Sequence, residues 1–194
     1  MNLVGTLNRT YNNLFSKISF ADGLGPLALR VYLFFPFYMA GSNKLADIES
    51  TAYWFGEHLG FPLPTLMAYL AAYTEFLGAF LLLFGLATRL ISIPLIITMI
   101  VAAFSVHWDN GWYAIAQSSD PEVGSRLDAA RSILQEHGNY DWLTGKGSFV
   151  ILNNGIEFAI TYLIMLMVLV FTGGGRFFSA DYYVQAMLGD KDSE

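Results

Sequence analysis

The chain of 194 residues contains no cysteine. That excludes disulfides, thiolate metal sites, Fe–S clusters, CxxC redox chemistry and c-type haem attachment. Charge is also scarce: Asp, Glu, Lys and Arg make up 13% of the residues, against ~25% in an average soluble domain. Ten basic residues face sixteen acidic ones, for a net charge of −6. Nucleic acid therefore meets no general phosphate-binding field and is not an expected partner. There are three histidines, His58, His107 and His137, and only His107 adjoins a long apolar run, which argues against a bis-histidine haem b. Dinucleotide, serine-elbow and HExxH signatures are missing. The first twenty residues lack the apolar core and cleavage site of a signal peptide, so insertion is expected to be directed by internal segments.

What remains is apolar. The chain is 55% hydrophobic and 16% aromatic. Four runs suit a bilayer core, which takes ~20 helical residues to cross. They cover about 26–44, 65–86, 90–106 and 149–172, with Asn153, Asn154 and Gly155 blurring the start of the fourth. Each is too long for a strand. The expected fold is all-α: an integral membrane four-helix bundle forming one domain over 1–194. Leu3, Leu7, Tyr11, Leu14 and Ile18 repeat at helical spacing and predict an N-terminal amphipathic helix on the membrane surface. Residues 107–148 form a long outer segment, in which Asp120-Pro121 and Gly138 punctuate a short surface helix. Lys and Arg are biased towards the side holding both termini, which places the termini in the cytoplasm.

Ionisable groups inside a span are costly, which makes them functional candidates. Glu75 lies on a face of small residues, Ala68, Ala71, Ala72, Gly78 and Ala79, that lets helices approach closely. Glu157 falls inside the fourth run. Helical rise puts both carboxyls ~12–15 Å below the outer surface, where they could share a proton, pair with a cation or simply fix helix packing. Arg30, Phe34, Phe37, Gly41 and Lys44 share one face of the first span. Lys44 is the better partner for a buried carboxylate, and Arg30 sits near the inner surface. Phe34, Phe37 and Tyr38 are candidate walls of an apolar ligand site. His107, Asp109 and His137 in the outer segment are candidate ligands for copper, zinc or iron, although by spacing alone such histidines are more often surface groups.

The stretches LALRVYLFFPFYMAGSNKL, EFLGAFLLLFGLATRL and EFAITYLIMLMVLVFTGGGRFFSAD resemble the DoxX family of small four-helix bacterial membrane proteins. On that pattern Arg30, Lys44, Glu75, Thr88, Arg89, Glu157 and the closing Gly173 to Arg176 take the family's positions. FPFYMAGSNKL, STAYWFG, VAAFSVHWDNGW and EHGNYDWLT resemble more specifically the DoxX-like HvfX proteins, encoded beside copper-binding modified peptides of bufferin type. The resemblance implies a multi-pass bacterial inner-membrane protein. It implies an accessory role in quinone-linked redox chemistry, as an oxidoreductase subunit, or in maturation or export of a copper-binding peptide. On the redox reading Glu75 moves protons with Lys44 or Arg30 tuning it, and a quinone or metal carries the electrons. The implied partners are the bilayer, other membrane or periplasmic proteins, a copper-binding peptide or further copies of the chain. A non-enzymatic anchor in metal homeostasis and a small proton or cation transporter stay open as alternatives.

Overall fold

A computed structural model describes residues 21–189. The amphipathic segment expected over residues 3–18 lies outside the described residues. The described chain is helical almost throughout: α1 (Leu24–Ala46), α2 (Ile48–Glu57), α3 (Pro64–Phe84), α4 (Thr88–Ala102), α5 (Pro121–His137), α6 (Tyr140–Thr144), α7 (Glu157–Thr172) and α8 (Ala180–Gly189). Among the described residues three helical stretches are long and apolar enough to cross a membrane: Leu24–Ala46, Pro64–Phe84 and Thr88–Asn110. The third is α4 continued by a π-turn over Ala103–His107 and a 3-10 turn over Trp108–Asn110.

The described residues divide into two compact units, one of residues 21–98 and 162–189, the other of residues 99–161. In the first unit α1 packs along α3. The approach is close because Gly41 sits directly on the backbone of Phe76, where a side chain would collide with main-chain atoms. Ala68, Ala72 and Ala79 are fully buried on the same α3 face, as the small-residue spacing predicts. Leu33, Phe37, Leu82, Leu95, Leu166 and Leu169 complete the interior. The outward faces stay apolar: Phe35, Met39, Leu77 and Ile97 are each more than half exposed. Water would penalise such a surface, and lipid solvates it at no cost.

Local signals set the helix ends. Asp47 opens α2 by accepting the Ser50 N–H at 3.1 Å. Proline at the first helical position starts α3. Gly85, at φ 65°, ends α3 in the left-handed conformation while the Leu86 N–H bonds the Leu81 carbonyl. Beyond α7, Asp181 of α8 reaches back to the turn before α4. Its Oδ1 accepts the Ala87 N–H at 2.6 Å and its Oδ2 the Thr88 N–H at 2.9 Å.

The second unit carries the surface helix that the Asp120-Pro121 pair predicts. Asp120 accepts the N–H groups of Glu122 and Val123 and caps α5. The unit also corrects the start of the fourth apolar run. Residues 149–156 are not helical. The N–H groups of Asn153 and Asn154 both bond the Ala114 carbonyl, that of Gly155 bonds Tyr113 and that of Glu157 bonds Trp112. Ile115 and Leu152 form an antiparallel bridge. Backbone donors satisfied by a neighbouring strand-like segment have no need of a helix. The helix therefore begins at Glu157 and runs 16 residues, ~24 Å at helical rise, short of a full hydrocarbon core.

Candidate functional site

The sequence puts Lys44 at the end of α1 and Glu75 on the small-residue face of α3, and the structure joins them. Lys44 Nζ lies 2.5 Å from Glu75 Oε2. The Glu75 side chain is 6% exposed and that of Lys44 is 25% exposed. Approach from outside therefore meets the ammonium first, with the carboxylate behind it. An ammonium has three donors and no acceptor, and a carboxylate accepts only. At this separation the pair can pass a proton along its hydrogen bond, or hold a fixed dipole in an apolar span.

An aromatic cluster flanks the pair along the same two helices. Phe34 stacks on Tyr38 with ring centres 5.4 Å apart. Tyr38 meets Phe76 at 5.8 Å and Phe80 at 5.7 Å. Phe76 follows Glu75 in α3, and Phe80 lies just over one helical turn further on. Phe37 does not join them. It is buried at 1% exposure on the inner side of α1, where its ring meets Tyr162 at 6.2 Å. Of the three candidate wall residues, Phe34 and Tyr38 line a shared aromatic surface and Phe37 belongs to the core.

Arg30 is also placed apart from the acid. It is fully buried, and its Nη1 donates to the carbonyls of Leu82 at 3.2 Å and Leu83 at 3.3 Å. Its Nη2 donates to Phe178 at 2.7 Å. Asp181 supplies the counter-charge. Arg30 thus ties α1 to the end of α3 and to the segment before α8. Phe76, Phe80 and Asp181 are partners that sequence reasoning missed, and an acid shortly after the glycine run was the available signal for Asp181.

In the second unit Glu157 opens α7, where its charge favours the helix N-terminus. Its Oε2 accepts the Ala114 N–H at 3.0 Å. It is an end-of-helix acid bound to a loop, and not a group eight residues inside a span. His107 ends the π-turn, and its Nδ1 lies 2.8 Å from the Asn154 carbonyl. A carbonyl only accepts, so Nδ1 carries the proton. His137 lies beside its exposed neighbour Glu136 at 3.7 Å, and Asp109 is exposed. Among the described residues no group of three or more His, Asp or Glu side chains gathers as a metal site. His107, Asp109 and His137 are therefore not brought together as one: His107 is turned onto a backbone carbonyl and His137 closes a surface helix.

A cavity of about 420 Å³ lies between α2 and the start of α3, lined by Ile48, Ala52, Tyr53, Pro64, Thr65 and Tyr69. Neither Lys44 nor Glu75 is in its wall. One of about 330 Å³ lies at the opposite end of α3, beside the Gly173 to Arg176 turn.

Residues 25–108 match the DoxX family model. The Bacillus subtilis (strain 168) protein named "Putative oxidoreductase CatD" is 39% identical over 83 residues, 43% of this chain and 60% of that protein. The chain thus spans 60% of the length of this curated relative. No solved structure matches. The DoxX match takes in Arg30, Lys44, Glu75 and His107, whereas Glu157 and the closing glycine run lie beyond it.

Proposed function

We propose that this chain, whose residues 25–108 are of DoxX type, is a multi-pass inner-membrane accessory subunit of a quinone-linked oxidoreductase, with Lys44 and Glu75 as its proton-handling pair. The single observation that carries the reading is the 2.5 Å pair inside apolar helices. An ion pair there is costly to build and weak as a stabilising device. The relative named as an oxidoreductase supports the reaction class. The lack of cysteine leaves electron transfer to a bound molecule or a partner.

The residues present fit a quinone. Phe34, Tyr38, Phe76 and Phe80 offer ring faces for an aromatic head group. The partly exposed ammonium of Lys44 offers a donor to a carbonyl oxygen. A quinone, when bound, accepts two electrons and two protons to become a quinol. A reduced partner protein supplies the electrons. Lys44 holds a proton at the surface of the pair. Glu75, behind it, takes up a proton from the aqueous phase and passes it to Lys44 after each delivery, so that two rounds supply both protons. The apolar faces of α1 and α3 keep bulk water from Glu75, while Lys44 stays partly exposed.

The test is binding of a short-chain quinone to detergent-purified protein, followed by quenching of the four tryptophans. Saturable binding in the wild type, weakened about tenfold or more in Glu75→Gln, is the expected result. Equal, non-saturating quenching of both proteins would reject the reading.

The copper-peptide reading rests on the HvfX-like sequence motifs and on the second unit, whose α5 offers a capped, exposed helix. It makes that unit a docking surface for a modified peptide, with copper held by the peptide itself. Peptide binding that survives Glu75→Gln and fails when α5 is altered would favour it.

A further inference from the structure

The turn after α7 has a property that ending a helix does not require. Gly173, Gly175 and Phe177 adopt φ of 72°, 85° and 66°, while Gly174 and Arg176 between them do not take positive φ. Left-handed and ordinary conformations therefore alternate along five residues. Such alternation turns successive peptide groups the same way and forms a concavity that presents either donors or acceptors.

Here three of the carbonyls are already used. The Gly175 carbonyl takes the Ser179 hydroxyl at 2.6 Å, the Arg176 carbonyl takes the Phe178 N–H at 2.8 Å, and the Gly173 carbonyl takes the Thr172 hydroxyl at 3.4 Å. The N–H groups of Gly174, Gly175 and Arg176 donate to no other described residue. What the turn has to offer is donors, which selects an anion.

The surroundings agree in sign. The cavity of about 330 Å³ beside the turn is walled by Arg89, Arg176 and the three glycines. Neither arginine has a carboxylate within 4.0 Å among the described residues. The one acid in the wall, Asp181, has both oxygens bound by Ala87 and Thr88 N–H groups and is balanced by Arg30. The Thr88 hydroxyl is fully buried, without a partner, and adjoins Gly174. The cavity lies where α3 ends and α4 begins, so the lengths of those helices put it at a membrane surface.

From these observations we propose that the Gly173 to Arg176 turn, with Arg89 and Thr88, is a binding site for a phosphate group. The arginine forks and the backbone donors match its oxygens. The phosphate comes from an anionic phospholipid head group or from soluble phosphate. The site is independent of the Lys44–Glu75 pair.

The experiment uses the full chain in detergent. Phosphatidylglycerol, phosphatidylcholine and inorganic phosphate are the three probes, read by native mass spectrometry and by the thermal transition. The expected result is retention of phosphatidylglycerol about tenfold or more over phosphatidylcholine, lost in Arg89→Gln/Arg176→Gln. Competition of that binding by millimolar phosphate also supports the site. Saturable phosphate binding without lipid preference supports it with the soluble source. A second variant, Arg89→Lys/Arg176→Lys, keeps the charge and controls for folding. It is expected to bind more weakly than wild type and to unfold with it. No preference between the lipids together with no phosphate binding would overturn the proposal. So would a double glutamine variant that folds and binds like the wild type.

Discussion

Removing Lys44 and removing Glu75 are not equivalent perturbations, and the difference can be worked from the structure. Lys44→Met strands a carboxylate that is 6% exposed. Breaking a buried pair from one side costs about 3–5 kcal/mol, because the remaining charge is left uncompensated. Lys44 itself is 25% exposed, so some water reaches the stranded group, and the lower end, about 3 kcal/mol, applies. Glu75→Gln strands an ammonium on a flexible stem at the end of α1. That side chain can swing towards the surface, which reduces the cost to about 1 kcal/mol. Lys44→Met/Glu75→Gln removes both charges and should return to within about 1 kcal/mol of wild type. The coupling expected from the cycle is therefore at least about 3 kcal/mol. The assay is reversible unfolding in mixed micelles, followed by tryptophan fluorescence. Single effects that add within about 0.5 kcal/mol would refute the reasoning. So would a Glu75→Gln variant less stable than Lys44→Met.

Two further outcomes follow from the same geometry. Arg30→Gln takes away donors from the carbonyls of Leu82, Leu83 and Phe178 and the counter-charge of Asp181. It should cost on the order of 3 kcal/mol and expose the chain after Phe177 to limited proteolysis, with Arg30→Lys failing to restore it; unchanged cleavage would contradict this. The Ser50 N–H holds the Asp47 carboxyl below its ordinary value. A depressed folded value means that the cap is at full strength above about pH 4 and is lost as pH falls through that lower value. Amide exchange over α2 should accelerate on acidification below that point, and Asp47→Asn should remove the pH dependence.

Some of this was legible in the sequence for definite reasons. Charges in apolar runs are conspicuous, and the alanine and glycine spacing around Glu75 marked the face on which α1 would pack. Lys44 at the end of α1 was then within reach. The cap of α5 was legible because Asp-Pro is a local signal. The rest depended on long-range contacts. Arg30 read as an inner-surface group because its partners are backbone carbonyls 52 to 148 residues away, which no residue type announces. Phe34 and Phe37 lie on one helical stripe, but only the position of the neighbouring helices decides which is buried. The start of α7 was hidden because apolar residues 149–152 look helical until the segment over 111–116 takes up their backbone. The histidines are candidate ligands by type only, and a backbone carbonyl claims one of them. The turn formed by the glycine run at 173–175 is not legible, because alternating backbone handedness is not visible in composition.

The central claim is that Glu75 exchanges a proton while a quinone is reduced in the membrane-embedded protein. The most direct measurement is the infrared difference spectrum between oxidised and electrochemically reduced quinone, bound to protein reconstituted in lipid. The account predicts a carboxyl protonation band in the wild type, absent in Glu75→Gln and altered in Lys44→Met. Bound quinone that is reduced with no carboxyl change, or with the same change in Glu75→Gln, would contradict it.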